Sequence, residues 1–143
     1  MDFILSRSSR RRAAKPTVLV VDDNDAHCYV LARVASAANF NTHEVCCGKA
    51  AIDAAREMRP DIILLDVFLP DIDGYEVCRT LKRDPETAGI PILFISSKYH
   101  EDDVDEGRQL ARAAGGEDLI TRANAVENLG HRLHELLRRK MAS

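Results

Sequence analysis

The chain has 143 residues, 45% of them hydrophobic and 30% charged, and its formal net charge is −3. These values are typical of one soluble domain with a single sizeable core, and the negative charge argues against a nucleic-acid binder. No apolar run approaches the roughly 20 residues of a membrane-spanning helix, and the apolar start at residues 1–5 is too short for a signal peptide. We therefore expect a cytoplasmic protein with no membrane or nucleic-acid partner.

Residues 1–15 are basic and show little hydrophobic periodicity. The basic residues in this stretch are Arg7, Arg10, Arg11, Arg12 and Lys15. Such an arm can touch an anionic partner, but its composition favours a disordered, solvated segment. A folded domain is expected over residues 16–140 and a short tail over residues 141–143. The tails are too short for an output domain, so the domain is expected to stand alone.

Two apolar strands of the predicted sheet end in carboxylates. Residues 17–21 are followed by Asp22 and Asp23, and residues 62–65 are followed by Asp66. If the strands are parallel neighbours, these acids converge, and two charges ~4 Å apart repel by about 4 kcal/mol at an effective dielectric of about 20. The cluster therefore predicts a divalent cation, with oxygen ligands that favour Mg²⁺ or Mn²⁺. The alternative is that Asp66 only caps the following turn.

The remaining pattern alternates helix and strand. Helices are expected from Asn24 or Asp25 to about Ala38, from Gly48 to Met58, from Gly74 to before Asp84, between Ser96 and Gly115, and from Asn124 to Lys140. Further strands are expected at residues 41–45, 92–95 and 118–121. The apolar residues expected to face the core from the first helix are Val30, Leu31, Val34 and Ala38. Five alternations without a linker predict one α/β domain, a doubly wound parallel sheet with helices on both faces.

Several reactive side chains are interpreted as structural or solvated. Cys28, Cys46, Cys47 and Cys78 lack metal or redox spacing and are expected to be reduced thiols. His27, His131 and His134 are assigned to solvated surfaces, against the alternatives of a partner contact for the first and a metal site for the other two. The acidic residues 101–106 are assigned to a helix start, where acids favour the dipole, against a second metal site.

The order of these motifs resembles the receiver domain of two-component response regulators, the CheY-like superfamily. The residues that carry the resemblance are Asp22-Asp23, Asp66, Leu69-Pro70, Asp73-Gly74 and Ser96 after the apolar strand at residues 92–95. It extends from about Lys15 to Lys140. It implies a flavodoxin-like fold with strand order 2-1-3-4-5 and a site at the switch between the first and third strands.

The resemblance also implies roles for the acidic residues. Asp66 would accept a phosphoryl group from the phosphohistidine of a sensor histidine kinase. Asp66, Asp23 and the backbone carbonyl of Phe68 would bind Mg²⁺, with Asp22 acting through water, and Ser96 would contact the phosphoryl group. The expected role is signalling, by conformational change or phosphorelay, and not that of an enzyme.

Three positions depart from the family pattern. Arg122 stands where the family has lysine, Ala123 where it has proline, and Leu119 at the aromatic switch position. Arg122 keeps the charge and is expected to pair with the acceptor carboxylate, but a planar guanidinium is not equivalent to an ammonium. The departures touch signal output and not the acidic pocket. Such variants resemble receivers attached to, or working with, hybrid kinases, with a phosphotransfer protein as the downstream partner.

Two other functions compete with a phosphoacceptor. One is a receiver-like binding module that no longer switches, which the retained acids and Ser96 argue against. The other is a Mg²⁺-dependent phosphohydrolase of the haloacid-dehalogenase type, which needs a second Asp two residues after the nucleophile, where Phe68 stands. The leucine-rich last helix with its basic end could also support a homodimer.

Overall fold

A computed structural model describes residues 14–96, 99 and 103–142. Residues 1–13 of the predicted basic arm lie outside the described residues. The same holds for Glu101 and Asp102 of the acidic block, and for Ser143.

The sheet has five parallel strands in the order β2-β1-β3-β4-β5. The strands are β1 (Thr17–Val21), β2 (Asn41–Val45), β3 (Ile62–Asp66), β4 (Ile92–Ser96) and β5 (Asp118–Thr121). The central β1, β3 and β4 are rich in valine, isoleucine and leucine, as expected where both faces of a parallel sheet are covered. The predicted fold class and strand order are confirmed.

Helices connect successive strands and cover both faces. They are α1 (Asp25–Ala37), α2 (Gly48–Met58), α3 (Gly74–Arg83), α4 (Val104–Ala113) and α5 (Arg122–Ala142). The last helix begins at Arg122, earlier than the predicted start at Asn124. Ala123 is a strong helix former, so the chain enters the helix directly from β5.

The hydrophobic core has two layers because successive side chains of each strand face opposite sides of the sheet. One layer packs Leu19, Ile63 and Leu65 against α2, α3 and α4. The other packs Val18, Val20, Ile62 and Leu64 against α1 and α5. The leucines expected to line α5 are buried at Leu129, Leu133 and Leu136, whereas Leu137 is partly buried.

The buried face of α1 differs from the prediction. Asn24 is the N-cap, and its side chain accepts a hydrogen bond from the backbone nitrogen of His27 at 3.0 Å. In the helix that follows, Cys28, Leu31, Ala32 and Ala35 are buried, and Val30 is exposed. The prediction that Val30 faces the core is wrong, because Cys28, Ala32 and Ala35 supply the buried face around Leu31.

His134 also differs from the prediction of a solvated side chain. Its ring lies 4.7 Å from the ring of Phe40, and its Nε2 contacts the carbonyl oxygen of Ala38 at 2.7 Å. His134 therefore joins α5 to the end of α1. His131 is exposed, as expected.

No helix within residues 14–96 and 103–142 is long and apolar enough to cross a membrane. The four cysteines are free; Cys28 and Cys78 are buried, and Cys46 is exposed.

Candidate functional site

The carboxylates of Asp22, Asp23 and Asp66 meet at the carboxyl edge of the sheet. The register pairs Val21 of β1 with Leu65 of β3, so the residues that follow are neighbours. One oxygen from each carboxylate lies within 4.8 Å of the other two. Asp22 and Asp66 are buried and Asp23 is exposed, so the cluster opens to solvent on one side.

The environment of Asp66 favours its protonated form more than water does. Burial, with smaller contributions from the charges of Asp22 and Asp23, raises the pKa of this carboxyl group to about 6. Two contacts oppose this: the backbone N–H of Phe68 donates to Oδ1 at 3.2 Å, and Arg122 contributes a positive charge. At neutral pH the ionised carboxylate is still the major form.

Arg122 points into the pocket, but its ion pair is not with Asp66. Its Nη2 donates to Oδ2 of Asp22 at 2.9 Å, while Oδ1 of Asp22 accepts the N–H of Asn24 at 3.0 Å. Within the described residues, no ion pair joins Arg122 to Asp66. Asp22 is only 1% exposed, and a buried charge requires a partner more than the solvent-facing acids do.

His27 belongs to the same network. The Nη1 atom of Arg122 contacts both ring nitrogens of His27, one of them at 3.0 Å. His27 is half-buried, so the prediction of a solvated surface histidine is wrong. Its position on the first turn after β1, close to the acidic cluster, was the signal available in the sequence.

Ser96 and Leu119 lie on β4 and β5, on the side of β3 away from β1. Ser96 ends β4, next to β3, and is fully buried; its register partner on β5 is Thr121. Leu119 is also fully buried. A side chain at Gly107 would touch both Leu119 and the ring of Tyr99, so an aromatic residue packs beside the position where the family has its aromatic switch.

The loop after Asp66 turns back tightly onto the strand. The backbone N–H of Gly74 donates to the carbonyl of Val67 at 2.8 Å. A Cβ at Gly74 would lie 2.3 Å from the backbone oxygen of Asp66, so only glycine fits. Asp73 then caps α3 by accepting the N–H of Tyr75 at 2.7 Å.

The donor set fits a small hard cation. Three carboxylates supply oxygen atoms at short mutual distances, and Phe68 places a further backbone carbonyl two residues after Asp66. Oxygen donors of this kind suit Mg²⁺, which is bound through one or two carboxylates and keeps several waters. Asp22 has both oxygens engaged by Asn24 and Arg122, whereas Asp23 is exposed and accessible to an ion.

A doubly wound parallel sheet with an acidic pocket at its switch point defines a receiver-type signalling fold. The sequence profile of the response regulator receiver domain matches residues 18–134. The chain belongs to the response regulator receiver domain family, whose members work in two-component signal transduction.

Similar proteins agree with this membership. The chain is 37% identical over 131 residues to the Mycobacterium tuberculosis protein described as "Probable transcriptional regulatory protein TcrX", covering 91% of this chain and 53% of that protein. It is 34% identical over 122 residues to the DNA-binding response regulator MtrA of Mycolicibacterium smegmatis, covering 85% of this chain and 50% of that protein. The chain thus spans about half the length of the curated relatives it matches.

A solved structure has the same fold. The signal receiver domain of a signal transduction histidine kinase from Syntrophus aciditrophicus matches with a TM-score of 0.74 and 28% identity. The match covers 86% of this chain and 90% of that one.

Proposed function

We propose that this chain is a phosphoacceptor receiver that takes a phosphoryl group from a histidine kinase onto Asp66. The observation that carries the proposal is the convergence of three carboxylates at the carboxyl edge of the sheet, where Asp66 is buried and Asp23 opens the cluster to solvent. Family membership supports it, because receivers act in two-component signalling.

Asp66 is the nucleophile of the proposed transfer. One of its oxygens forms a bond to phosphorus while the phosphorus–nitrogen bond of the kinase phosphohistidine breaks. The imidazole leaves and takes up a proton from water. Phosphoryl transfer depends mainly on positioning and charge stabilisation, and the hydrogen bond from Phe68 to Oδ1 holds the Asp66 carboxylate in place.

Asp66, Asp23 and the backbone carbonyl of Phe68 are the proposed ligands of Mg²⁺, with Asp22 reached through a water molecule. A bound Mg²⁺ would neutralise the negative charge that gathers on the phosphoryl oxygens. Ser96, buried at the end of β4, is the proposed hydroxyl donor to the phosphoryl group, and Arg122 is the second cation of the pocket.

The output of the proposed signal is a conformational change or a further phosphotransfer. Two curated relatives are named as DNA-binding or transcriptional regulators, and one structural relative is the receiver of a histidine kinase. The likeness to a kinase receiver supports a phosphorelay with a hybrid kinase and a downstream phosphotransfer protein. A homodimer through α5 would use the exposed residues of this helix, since Leu129, Leu133 and Leu136 pack in the core.

The test is phosphorylation by a small donor such as acetyl phosphate, with Mg²⁺ and intact-mass detection. We expect the native chain to be labelled and the Asp66→Asn variant to stay folded by circular dichroism but unlabelled. Asp25→Asn removes an exposed acid outside the cluster and should be labelled like the native chain. Label on Asp66→Asn would place the acceptor elsewhere and refute the assignment.

A further inference from the structure

The N-terminus of α2 is capped by a residue from a distant loop. The four N–H groups of a helix's first turn need acceptors, which the preceding residue usually supplies. Here that residue is Cys47, whose side chain makes no capping hydrogen bond to any described residue. The cap comes instead from Asp71, in the loop that joins Asp66 to α3.

Both carboxylate oxygens of Asp71 take part. Oδ1 accepts the N–H of Gly48 at 2.7 Å, and Oδ2 accepts the N–H of Lys49 at 2.9 Å. These backbone hydrogen bonds, that of Lys49 first, hold the pKa of the Asp71 carboxyl group below its usual value. Charge-assisted bonds at a helix N-terminus are among the stronger contacts a surface carboxylate can make.

The contact is close as well as polar. A Cβ at Gly48 would lie 2.9 Å from Cγ2 of Val77, 3.0 Å from Cβ of Ile72 and 3.3 Å from Oδ1 of Asp71. A side chain at position 48 would therefore push the loop away from α2. The absence of a side chain there lets the loop and the first turn of α2 pack together.

The loop between Asp66 and α3 is fixed at its other end by Gly74 and Asp73. The N–H of Gly74 bonds to Val67, and the side chain of Asp73 caps α3. The outer arm of the loop, from Phe68 to Asp71, is held by the packing of Leu69 against the core and by the two hydrogen bonds of Asp71 to α2. Phe68, which donates to Asp66, lies in this arm.

We propose that Asp71 is a positioning residue for the acidic pocket: by capping α2 it fixes the loop that carries Phe68, whose N–H orients the Asp66 carboxylate toward a metal ion. The inference rests on the proposed function of the pocket. It also makes α2 part of the site, since any shift of its first turn is passed to the loop through two short hydrogen bonds.

The variants are Asp71→Ala, which removes both hydrogen bonds, and Asp71→Asn, which keeps one acceptor oxygen. Asp84→Ala is the matched control. Oδ1 of Asp84 accepts a backbone N–H from Glu86 at 3.0 Å, and its Oδ2 pairs with Arg56 of α2 at 3.1 Å. Asp84 thus holds the last turn of α2 to the segment that follows α3, which is not the loop after Asp66.

The measurements are the Mg²⁺ dissociation constant by NMR titration, the exchange rate of the Phe68 amide, and the rate of labelling by acetyl phosphate, all at a temperature where each variant is folded. We expect Asp71→Ala to weaken Mg²⁺ binding about tenfold and Asp71→Asn about threefold. The Phe68 amide should exchange faster in both, and Asp84→Ala should match the native protein in all three measurements.

Native Mg²⁺ affinity in the folded Asp71 variants, or equal losses in Asp84→Ala, would overturn the inference and leave Asp71 as a stabilising cap only. If Asp71→Ala does not fold, the Asp71→Asn result decides. A native chain that binds Mg²⁺ but takes no phosphoryl group would refute the proposed function, while the Mg²⁺ affinities would still test Asp71.

Discussion

Arg122 acts on a buried carboxylate that is not the proposed acceptor. Its guanidinium pairs with Asp22 at 2.9 Å and contacts a ring nitrogen of His27 at 3.0 Å. An arginine can hold an ion pair and a ring contact at once because its planar head presents several donors. A metal ion in the pocket would therefore compete with Arg122 for the negative charge of Asp22. The strength of Mg²⁺ binding should depend on Arg122 for this reason.

We expect Arg122→Ala to separate metal binding from phosphoryl acceptance. Removing a positive charge next to the cluster should tighten Mg²⁺ binding about fivefold, equivalent to about 1 kcal/mol. Labelling of Asp66 by acetyl phosphate should nevertheless be slower, because the pocket loses its second cation. Calorimetric Mg²⁺ titration and labelling kinetics measure the two effects.

Arg122→Lys is the matched control, since it keeps the charge on a shorter head. It should label at a rate close to that of the native chain and bind Mg²⁺ with similar affinity. Mg²⁺ binding that weakens in Arg122→Ala would mean that the guanidinium organises the metal site instead of competing with it.

At the scale of elements, the sequence predicted the strands and their acidic ends because these depend on local patterns. A short apolar run between turn signals indicates a buried strand. Parallel pairing of two such strands then brings Asp22 and Asp66 together at one edge of the sheet. The start of α5 at Arg122 was missed because loss of the proline changes where a helix begins.

Contacts between side chains far apart in sequence could not be predicted. Arg122 had several acids within reach, and only packing decides that its partner is Asp22. The cap of α2 joins residues that are 23 apart, and no local signal at Cys47 points to it. The buried face of α1 could not be predicted either, because the sequence offers more apolar positions in this helix than the fold buries.

Asp118 joins β5 to the two helices beside it. Its Oδ2 pairs with Arg132 of α5 at 2.8 Å, and its Oδ1 lies 3.5 Å from Arg108 and 3.6 Å from Arg112 of α4. Burial alone would raise the pKa of this carboxyl group, but Arg132, the N–H of Leu119 and Arg108 together hold it below its usual value. This arrangement lies on the face where the sequence departs from its family.

We expect Asp118→Asn to lower the free energy of unfolding by about 2 kcal/mol at pH 7, because three arginines lose their shared partner. Since the folded-state pKa lies below the unfolded value of about 3.9, this stabilisation is complete above that pH and is lost as the pH falls through the folded pKa. The stability gap between the native chain and the variant should therefore be constant from pH 7 to about 5 and narrow below about pH 4.

Urea denaturation across this pH range measures the gap. Arg132→Gln should reproduce most of the loss, whereas Arg112→Gln, whose side chain is 62% exposed, should cost little. A gap that stays unchanged down to pH 3 would show that the charge of Asp118 does not stabilise the fold.

For the whole molecule, the like charges of the acidic pocket oppose the stability of the fold. Three carboxylates at one edge of the sheet repel each other, and Arg122 offsets only part of this charge. The metal-free fold therefore carries an electrostatic strain that the two-layer core tolerates. A cation that binds only the folded chain should relieve it, and the gain should appear in the melting temperature.

We expect Mg²⁺ at about 100 times its dissociation constant to stabilise the chain by about 2.7 kcal/mol, or roughly 5–10 °C, relative to EDTA at matched ionic strength. Asp23→Asn tests the cause, because Asp23 is exposed and can lose its charge without leaving a cavity. It should melt at or above the native temperature in EDTA and gain little from Mg²⁺. Asp25→Asn, an exposed acid of α1 outside the cluster, should keep the native gain. If Asp23→Asn gains as much from Mg²⁺ as the native chain does, the ion binds elsewhere and the three carboxylates are not its site.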